Sequence, residues 1–274
     1  MSRIVQRAEI DVFRQTVRGW YAEHRRDLPW RRTRDPYRVL VSEVMLQQTQ
    51  VTRVIDKYAE FLSAFPTVET LAAAPLADVL RVWSGLGYNR RARALKSAAE
   101  TIVEDHAGRV PDTLEGLVAL PGLGHATAAQ VLAFAFDIAV PFIETNIRAV
   151  YLHHFFPGES DVPDAEILPI VAATLDTDDP REWYYALMDY GTWLKKTVPN
   201  PSRASRHHAP QSRFEGSPRQ ARGAVLRTLI AAPGLDVAGI AAETGIDEER
   251  IARAIAALVA EGFLVAEDGR LRIV

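Results

Sequence analysis

Apolar positions recur at spacings of three and four along most of the chain. Ile10, Phe13, Val17 and Trp20 form one stripe over residues 9–24, the period of an amphipathic helix. Pro29 interrupts that pattern, and Pro36 sits where a first helical turn accepts proline. A strongly apolar helix is expected over 37–49. Others are expected over about 51–64, 68–74, 76–83, 89–106, 125–136, 145–156, 164–176 and 180–195, with Gly or Pro at their borders. No alternating strand pattern precedes residue 260, and no repeat of fixed period is evident.

The pattern changes after Lys196. The stretch TVPNPSRASRHHAPQSRFEGSP is rich in proline and serine and offers little to a core, so it reads as an extended, basic connector. Helical spacing restarts near 218–231, 236–244 and 247–262. The closing FLVAEDGRLRIV reads as two short strands around Asp268–Gly269. Three helices and a terminal hairpin make a winged-helix pattern. The expected organisation is therefore a helical domain over 1–196, a connector over 197–217 and a winged-helix domain over 218–274.

Composition narrows the function classes. Of 274 residues, 48% are hydrophobic and 24% charged, the profile of a globular chain and not of a disordered one. No apolar stretch approaches the ~20 residues a membrane span needs, and the arginine- and glutamate-studded start does not read as a secretory signal. There is no cysteine, which excludes disulfides, thiolate catalysis, zinc-thiolate sites and cysteine-held iron–sulfur clusters. A cytoplasmic protein without cofactor is expected.

Net charge is only −3, but its distribution is uneven. Residues 80–96 hold Arg81, Arg90, Arg91, Arg93 and Lys96 without an acid. Residues 195–222 hold seven Lys and Arg, Arg203 and Arg206 among them, against Glu215 alone. Residues 159–182 carry eight acids and only Arg181. Such islands fit either a polyanion-binding face or ordinary solvated helix faces.

Four constellations carry candidate chemistry. LPGLG at 120–124, followed by His125, Ala126 and Thr127, joins two helices through a glycine turn. Its backbone N–H groups suit a phosphate, and Gly122 and Gly124 leave room for a nucleic-acid backbone; it also reads as a plain helix cap. SEVMLQQTQV at 42–51 sets Glu43 among apolar residues, either on a wet side or in a pocket that raises its pKa and suits it to general-acid work. The polar end, Gln47 to Gln50 with Gln48 and Thr49, suits base edges or the gap left by a displaced base. PFIETNIRAV at 141–150 offers Glu144 or Thr145 as a helix N-cap. SGLGYNRRARAL at 84–95 frames an exposed Leu86 and Tyr88 beside Arg90, Arg91 and Arg93, a pattern of duplex wedge and phosphate anchors.

Taken together, LPWR at 28–31, PY at 36–37, SEVMLQQTQV, GLGY-x-RA and LPGLG closely resemble the adenine DNA glycosylases of the MutY type. These belong to the helix-hairpin-helix superfamily that includes endonuclease III. The likeness covers about residues 10–195. It implies an all-α, two-lobed fold with DNA crossing the cleft, base flipping, and cleavage of the N-glycosidic bond. By the same resemblance Glu43 is the catalytic acid, which protonates a ring nitrogen of the flipped purine and helps activate water. Glu144 stands where the family has an aspartate that stabilises the positive sugar, with Asn146 beside it. Gln48 and Tyr88 match residues entering the base stack, Arg31 and Leu46 match pocket positions, and Gly122 and Gly124 match the phosphate-binding hairpin.

Departures accompany the likeness. Glu replaces Asp at 144, adding one methylene. Ala126 stands where a lyase relative has its Schiff-base lysine and MutY-type enzymes have Tyr or Ser, so strand cutting through a lysine there is excluded. The cluster cysteines expected after about residue 194 are missing. The C-terminal domain that inspects the opposite strand is replaced by the 218–274 unit. Its third helix carries Glu248, Glu249 and Glu261 against Arg250 and Arg253, a poor balance for entering a groove. That unit is expected to dock on the catalytic domain, contact a protein, or touch DNA only through Arg270 and Arg272.

The resulting expectation is a monomeric, monofunctional DNA glycosylase of base excision repair. It acts on double-stranded DNA with a mispaired or damaged base, adenine in a mispair first. A glycosylase for another base and a non-catalytic winged-helix regulator are the alternatives. A metal-dependent nuclease is disfavoured, since no dense Asp/His cluster has metal spacing.

Overall fold

A computed structural model describes residues 5–207, 213–267 and 269–274. The first helices are α1 (Arg7–His24), α2 (Pro36–Leu46), α3 (Val51–Ala64), α4 (Val68–Ala73), α5 (Leu76–Trp83) and α6 (Arg90–His106). A 3-10 turn over Pro29–Arg32 separates α1 from α2. The middle of the chain forms α7 (Leu114–Ala119), α8 (His125–Val131), a π-helical turn over Leu132–Phe136, α9 (Thr145–Phe155), α10 (Asp164–Thr174) and α11 (Pro180–Thr197). After a 3-10 turn over Pro201–Ala204 come α12 (Pro218–Ala231), α13 (Val237–Thr244), α14 (Glu248–Ala260), β1 (Leu264–Glu267) and β2 (Arg270–Ile273). Among the described residues no helix is long and apolar enough to cross a membrane.

Two compact units divide the chain. The first holds Met1–Glu43, Asp112–Ala119 and Leu123–Pro210; the second holds Val44–Pro111, Leu120–Gly122 and Gln211–Val274. The first unit is built on α9 packed against α11, with α1 laid on α11. Phe13 of α1 meets Tyr151, Phe155 and Trp183 with ring centroids 5.0–5.8 Å apart. Gly191 of α11 lies directly on the Asn146 backbone, where a Cβ would overlap the Asn146 carbonyl. Arg181 is buried and donates to the Phe134 carbonyl, and at 2.8 Å to those of Arg31 and Thr33. One guanidinium thus ties the π turn to the segment that carries Arg31.

In the second unit α4 and α5 pack on α6, and α3 packs on α5. Trp83 is fully buried and its Nε1 donates to the Gly87 carbonyl at 3.0 Å, which folds the 84–88 turn back on α5. The C-terminal helices bury Val225, Leu229, Ile240, Ile251 and Leu258, and Phe263 is buried after them. Each has a polar N-cap, Ser217, Asp236 and Asp247, whose side chain accepts from the first-turn backbone. Strands β1 and β2 pair antiparallel with Leu264 opposite Ile273 and Glu267 opposite Arg270. The turn residue Asp268 lies outside the described residues. Helix α12 packs on α5, so this module rests on the 44–111 segment.

Three sequence expectations change. Residues 125–136 are not one α-helix, because the last turn widens to π geometry before Asp137 turns left-handed. Helix α7, absent from the expected set, occupies Leu114–Ala119. Part of the connector is folded: Val162 and Ser205 form a parallel bridge, and Ser202 and Ser205 are buried. Residues 208–212 of that connector lie outside the described residues.

Candidate functional site

Helix α2 reads PYRVLVSEVML, apolar nearly all round, and its residues from Val39 to Met45 are all buried. A helix of that kind must lie inside, and Glu43 is carried in with it at 5% exposure. Of its sequence alternatives, the wet side is excluded by this burial. The Ser42 hydroxyl donates to Glu43 weakly, at 3.4 Å. Burial pushes the carboxyl up to about 8. Ser42 and the Arg31 charge oppose this, and the Glu144 charge adds to it. Glu43 therefore holds its proton at neutral pH.

Glu144, and not Thr145, is the N-cap of α9. Its Oε1 accepts from the backbone N–H groups of Asn146 and Ile147, each at 2.8 Å, and its Oε2 accepts from Asn146 Nδ2 at 3.1 Å. Burial raises this carboxyl as well. The two backbone donors and the charges of Lys195 and Arg148 work against it. Asn146 is held in turn by the Thr192 hydroxyl at 3.3 Å and by the close approach of Gly191.

Arg31 comes from the 3-10 turn and forks onto Asp189 of α11, Nη1 to Oδ2 at 2.8 Å and Nη2 to Oδ1 at 2.7 Å. Arg26 adds its backbone N–H at 2.9 Å and its Nε at 2.6 Å to the same carboxylate. Burial alone pushes Asp189 up, but the Arg31 hydrogen bonds and charge, with those of Arg26, hold it below the usual carboxylate range. Arg31 also lies 4.3 Å from the ring centroid of Tyr185, which stacks on Phe134. Its Nε–H is buried without a partner. Glu43 interacts electrostatically with both Arg31 and Glu144, and Tyr185 with Glu43, so these groups share one neighbourhood.

Asp189, Tyr185 and Arg26 were missed by sequence reasoning, and Lys195 was read only as part of the basic island. A lone acid in the run WYYALMDYGTW was the available signal, since an acid on such a helix needs cations to be buried. Ala126 is half-buried on α8, and His125 is that helix's exposed first residue. Leu46 ends α2 and is half-buried.

In the second unit the candidate DNA residues divide. Gln48 is exposed at φ 52° and Tyr88 half-exposed at φ 49°, both held left-handed by tight turns. Leu86, expected to be exposed, is 3% exposed, because the Trp83–Gly87 bond turns it inward. Arg91, expected on phosphate, is spent internally. It donates to the carbonyls of Val44 at 2.9 Å, Met45 at 2.8 Å and Gln47 at 2.5 Å, and to Thr49 Oγ1 at 2.9 Å. It closes the C-terminal end of α2, and burial draws its pKa down to about 10.

Gly122 has φ +79°, and a Cβ there would lie 2.5 Å from the Ala94 Cβ, so protein packing already demands glycine. Gly124 has ordinary extended geometry with open space around it, so nothing in the fold requires glycine at that position. Arg203 is exposed, whereas Arg206 is ion-paired with Asp161 at 2.7 Å. Among the described residues no group of three or more His, Asp or Glu is placed to hold a metal ion.

Comparison with known proteins matches residues 41–168 to the family described as HhH-GPD superfamily base excision DNA repair protein. The chain is 36% identical over 240 residues to the adenine DNA glycosylase of Rattus norvegicus, covering 83% of this chain and 45% of that one. To the adenine DNA glycosylase of Mycobacterium tuberculosis it is 35% identical over 283 residues, covering 93% and 91%. A solved thermostable thymine-DNA glycosylase aligns with TM-score 0.60 at 26% identity, covering 67% of this chain and 86% of that one. The chain thus spans about half the length of the rat relative and most of the mycobacterial one.

Proposed function

The chain belongs to the adenine DNA glycosylase family of the helix-hairpin-helix base excision repair superfamily, and on that footing we propose that it is a monofunctional DNA N-glycosylase removing adenine from a mispair in duplex DNA. The observation that carries this reading is the contrast between two neighbouring carboxyls. Glu43 is buried with one weak donor and keeps its proton. Glu144 receives three N–H donors, two of them backbone, all of which favour its charged form. Burial raises both carboxyls, but only Glu144 has backbone N–H donors opposing that rise, and a difference of pairing of this kind separates an acid from a charge stabiliser.

In the proposed reaction Glu43 gives its proton to a ring nitrogen of the extruded base. The C–N bond breaks with its electron pair leaving on the base, and positive charge develops on the sugar. Glu144 faces that charge, its orientation fixed by the α9 cap. Water then adds to the sugar and returns a proton to Glu43. Arg31, held by Asp189, fixes the positive charge beside Glu43. Ala126 offers no amine to attack the sugar, so the product is an intact strand with an abasic site.

Gln48 and Tyr88, exposed or half-exposed on left-handed turns, would enter the base stack. The turn from Gly122 to His125, with Arg203, would meet phosphates. An iron–sulfur cluster does not fit: the segment after α11 offers serine hydroxyls and basic side chains, and the chain has no thiolate. The test is a panel of duplexes with adenine or another base opposite each partner, treated with hot alkali after incubation. Adenine mispairs should become alkali-labile first; preferential release of another base would overturn the substrate assignment.

A further inference from the structure

The C-terminal module has a place in the proposed function that its fold alone does not state. A groove of about 270 Å³ runs between α6 and the 120–122 turn, lined by Arg90, Arg93, Ser97, Pro121, Gly122 and Glu261. Glu261 follows α14. Its carboxylate lies between two guanidinium forks: Arg90 reaches it at 2.7 and 2.5 Å, and Arg222 of α12 at 2.6 Å through both Nη atoms. These hydrogen bonds, Arg90's first, hold Glu261 down to about 2.

Arg93 is the third cation. It lies 5.1 Å from the Phe263 ring centroid and beside Gly262, where a Cβ would come 2.8 Å from its Nη1. It makes no ion pair among the described residues. The groove lining thus carries Arg90 and Arg93 against Glu261, whose charge Arg222 already meets from outside the lining, and the groove is open to solvent on the Arg90 side.

We propose that this groove is a binding subsite for a DNA backbone phosphate, assembled jointly by α6, the hairpin turn and the C-terminal module, with Glu261 standing in for that phosphate in the free protein. The argument is one of charge and shape. A carboxylate between two arginine forks uses the donor geometry with which arginines grip a phosphate. A phosphate arriving there finds Arg93 unneutralised and competes with Glu261 for Arg90, the more exposed of the two forks. Arg222 comes from the module itself, and Arg93 is seated on its Phe263, so the subsite exists only with the module docked. The module then adds affinity for any duplex and need not read its sequence. This inference rests on the reading that the chain acts on duplex DNA.

The test measures binding of the full chain to a short undamaged duplex by fluorescence anisotropy across a salt series, with melting temperatures alongside. Arg93→Ala should flatten the slope of log K against log salt by about 0.9, the value of one phosphate contact, and weaken binding several-fold at low salt. Ser97→Glu, which puts a charge into the groove from a half-buried lining position on α6, should weaken binding likewise. Glu261→Gln should tighten binding several-fold, since a phosphate no longer displaces a carboxylate. If Glu261→Gln melts well below the parent, the other two variants decide. An unchanged slope for Arg93→Ala and Ser97→Glu, or weaker binding by a normally melting Glu261→Gln, would overturn the proposal. Base release by the parent chain separates the two readings: with release intact and the slopes unmoved, only the subsite falls.

Discussion

Replacing Glu43 by glutamine should stabilise the protein, and more so as pH rises. The buried carboxyl moves from an ordinary 4.5 to about 8 on folding. Between those values the folded chain binds a proton that the unfolded chain has released, so stability falls as pH rises through that window and levels off above 8. At about 1.4 kcal/mol per pH unit, the burden approaches roughly 4 kcal/mol at pH 7.5 and 5 above pH 8. Glutamine has nearly the same shape and no charge to lose. The two proteins should therefore differ little at pH 4.5 and by roughly 2–4 kcal/mol at pH 7.5, allowing for imperfect amide pairing. Urea unfolding of both chains from pH 4 to 9 measures this. A gap that does not change with pH would refute the protonated, buried acid. A gap that turns against glutamine at high pH would mean that Glu43 is ionised and stabilised by Arg31. The same proton governs the proposed chemistry, so base release by the parent should decline as pH passes 8.

Arg91→Ala should cost roughly 3 kcal/mol of stability, because the carbonyls of Val44, Met45 and Gln47 lose a charged donor; the salt slope of duplex binding should stay as in the parent, and a flatter slope would restore Arg91 as a phosphate contact. Gly191→Ala should destabilise by about 3 kcal/mol or more in urea unfolding, since the added Cβ drives α11 off the Asn146 backbone; parent-like stability would refute that contact. Glu144→Gln keeps an acceptor for the α9 cap and removes the ionisable group, so single-turnover base release should fall roughly 10²-fold or more while the cap of α9 is retained. Undiminished release would remove Glu144 from the chemistry.

Most helices were legible because their apolar stripes and Gly/Pro borders are local. The stripe of α1 and the helical spacing of α12 to α14 are examples. Helix α7 was not, since six residues with Leu114 and Leu117 facing inward are too short to show a period. The π turn at Leu132–Phe136 has no local marker; a bulge of that kind comes with packing, here the Arg181 guanidinium on the Phe134 carbonyl. Arg91 illustrates the harder case. In sequence it belongs to a basic run, yet four of its partners, Val44, Met45, Gln47 and Thr49, lie more than 40 positions away, and only folding shows that it closes α2. Leu86 misled for the opposite reason: glycines on both sides suggest exposure, but the Trp83–Gly87 hydrogen bond folds that turn inward. Glu43 and Glu144 were visible through their motifs. Asp189, which fixes Arg31, required knowing which cations would reach α11.

The most direct measurement is single-turnover treatment of a duplex carrying one adenine mispair with the parent chain and with Glu43→Gln, each sample split between hot alkali and no alkali. The account predicts strand breakage only after alkali with the parent, and release slowed by roughly 10²–10⁴-fold or more in the variant, with duplex binding retained. Release by Glu43→Gln at the parent rate would contradict the assignment of the acid, and strand breakage by the parent without alkali would contradict the monofunctional mechanism.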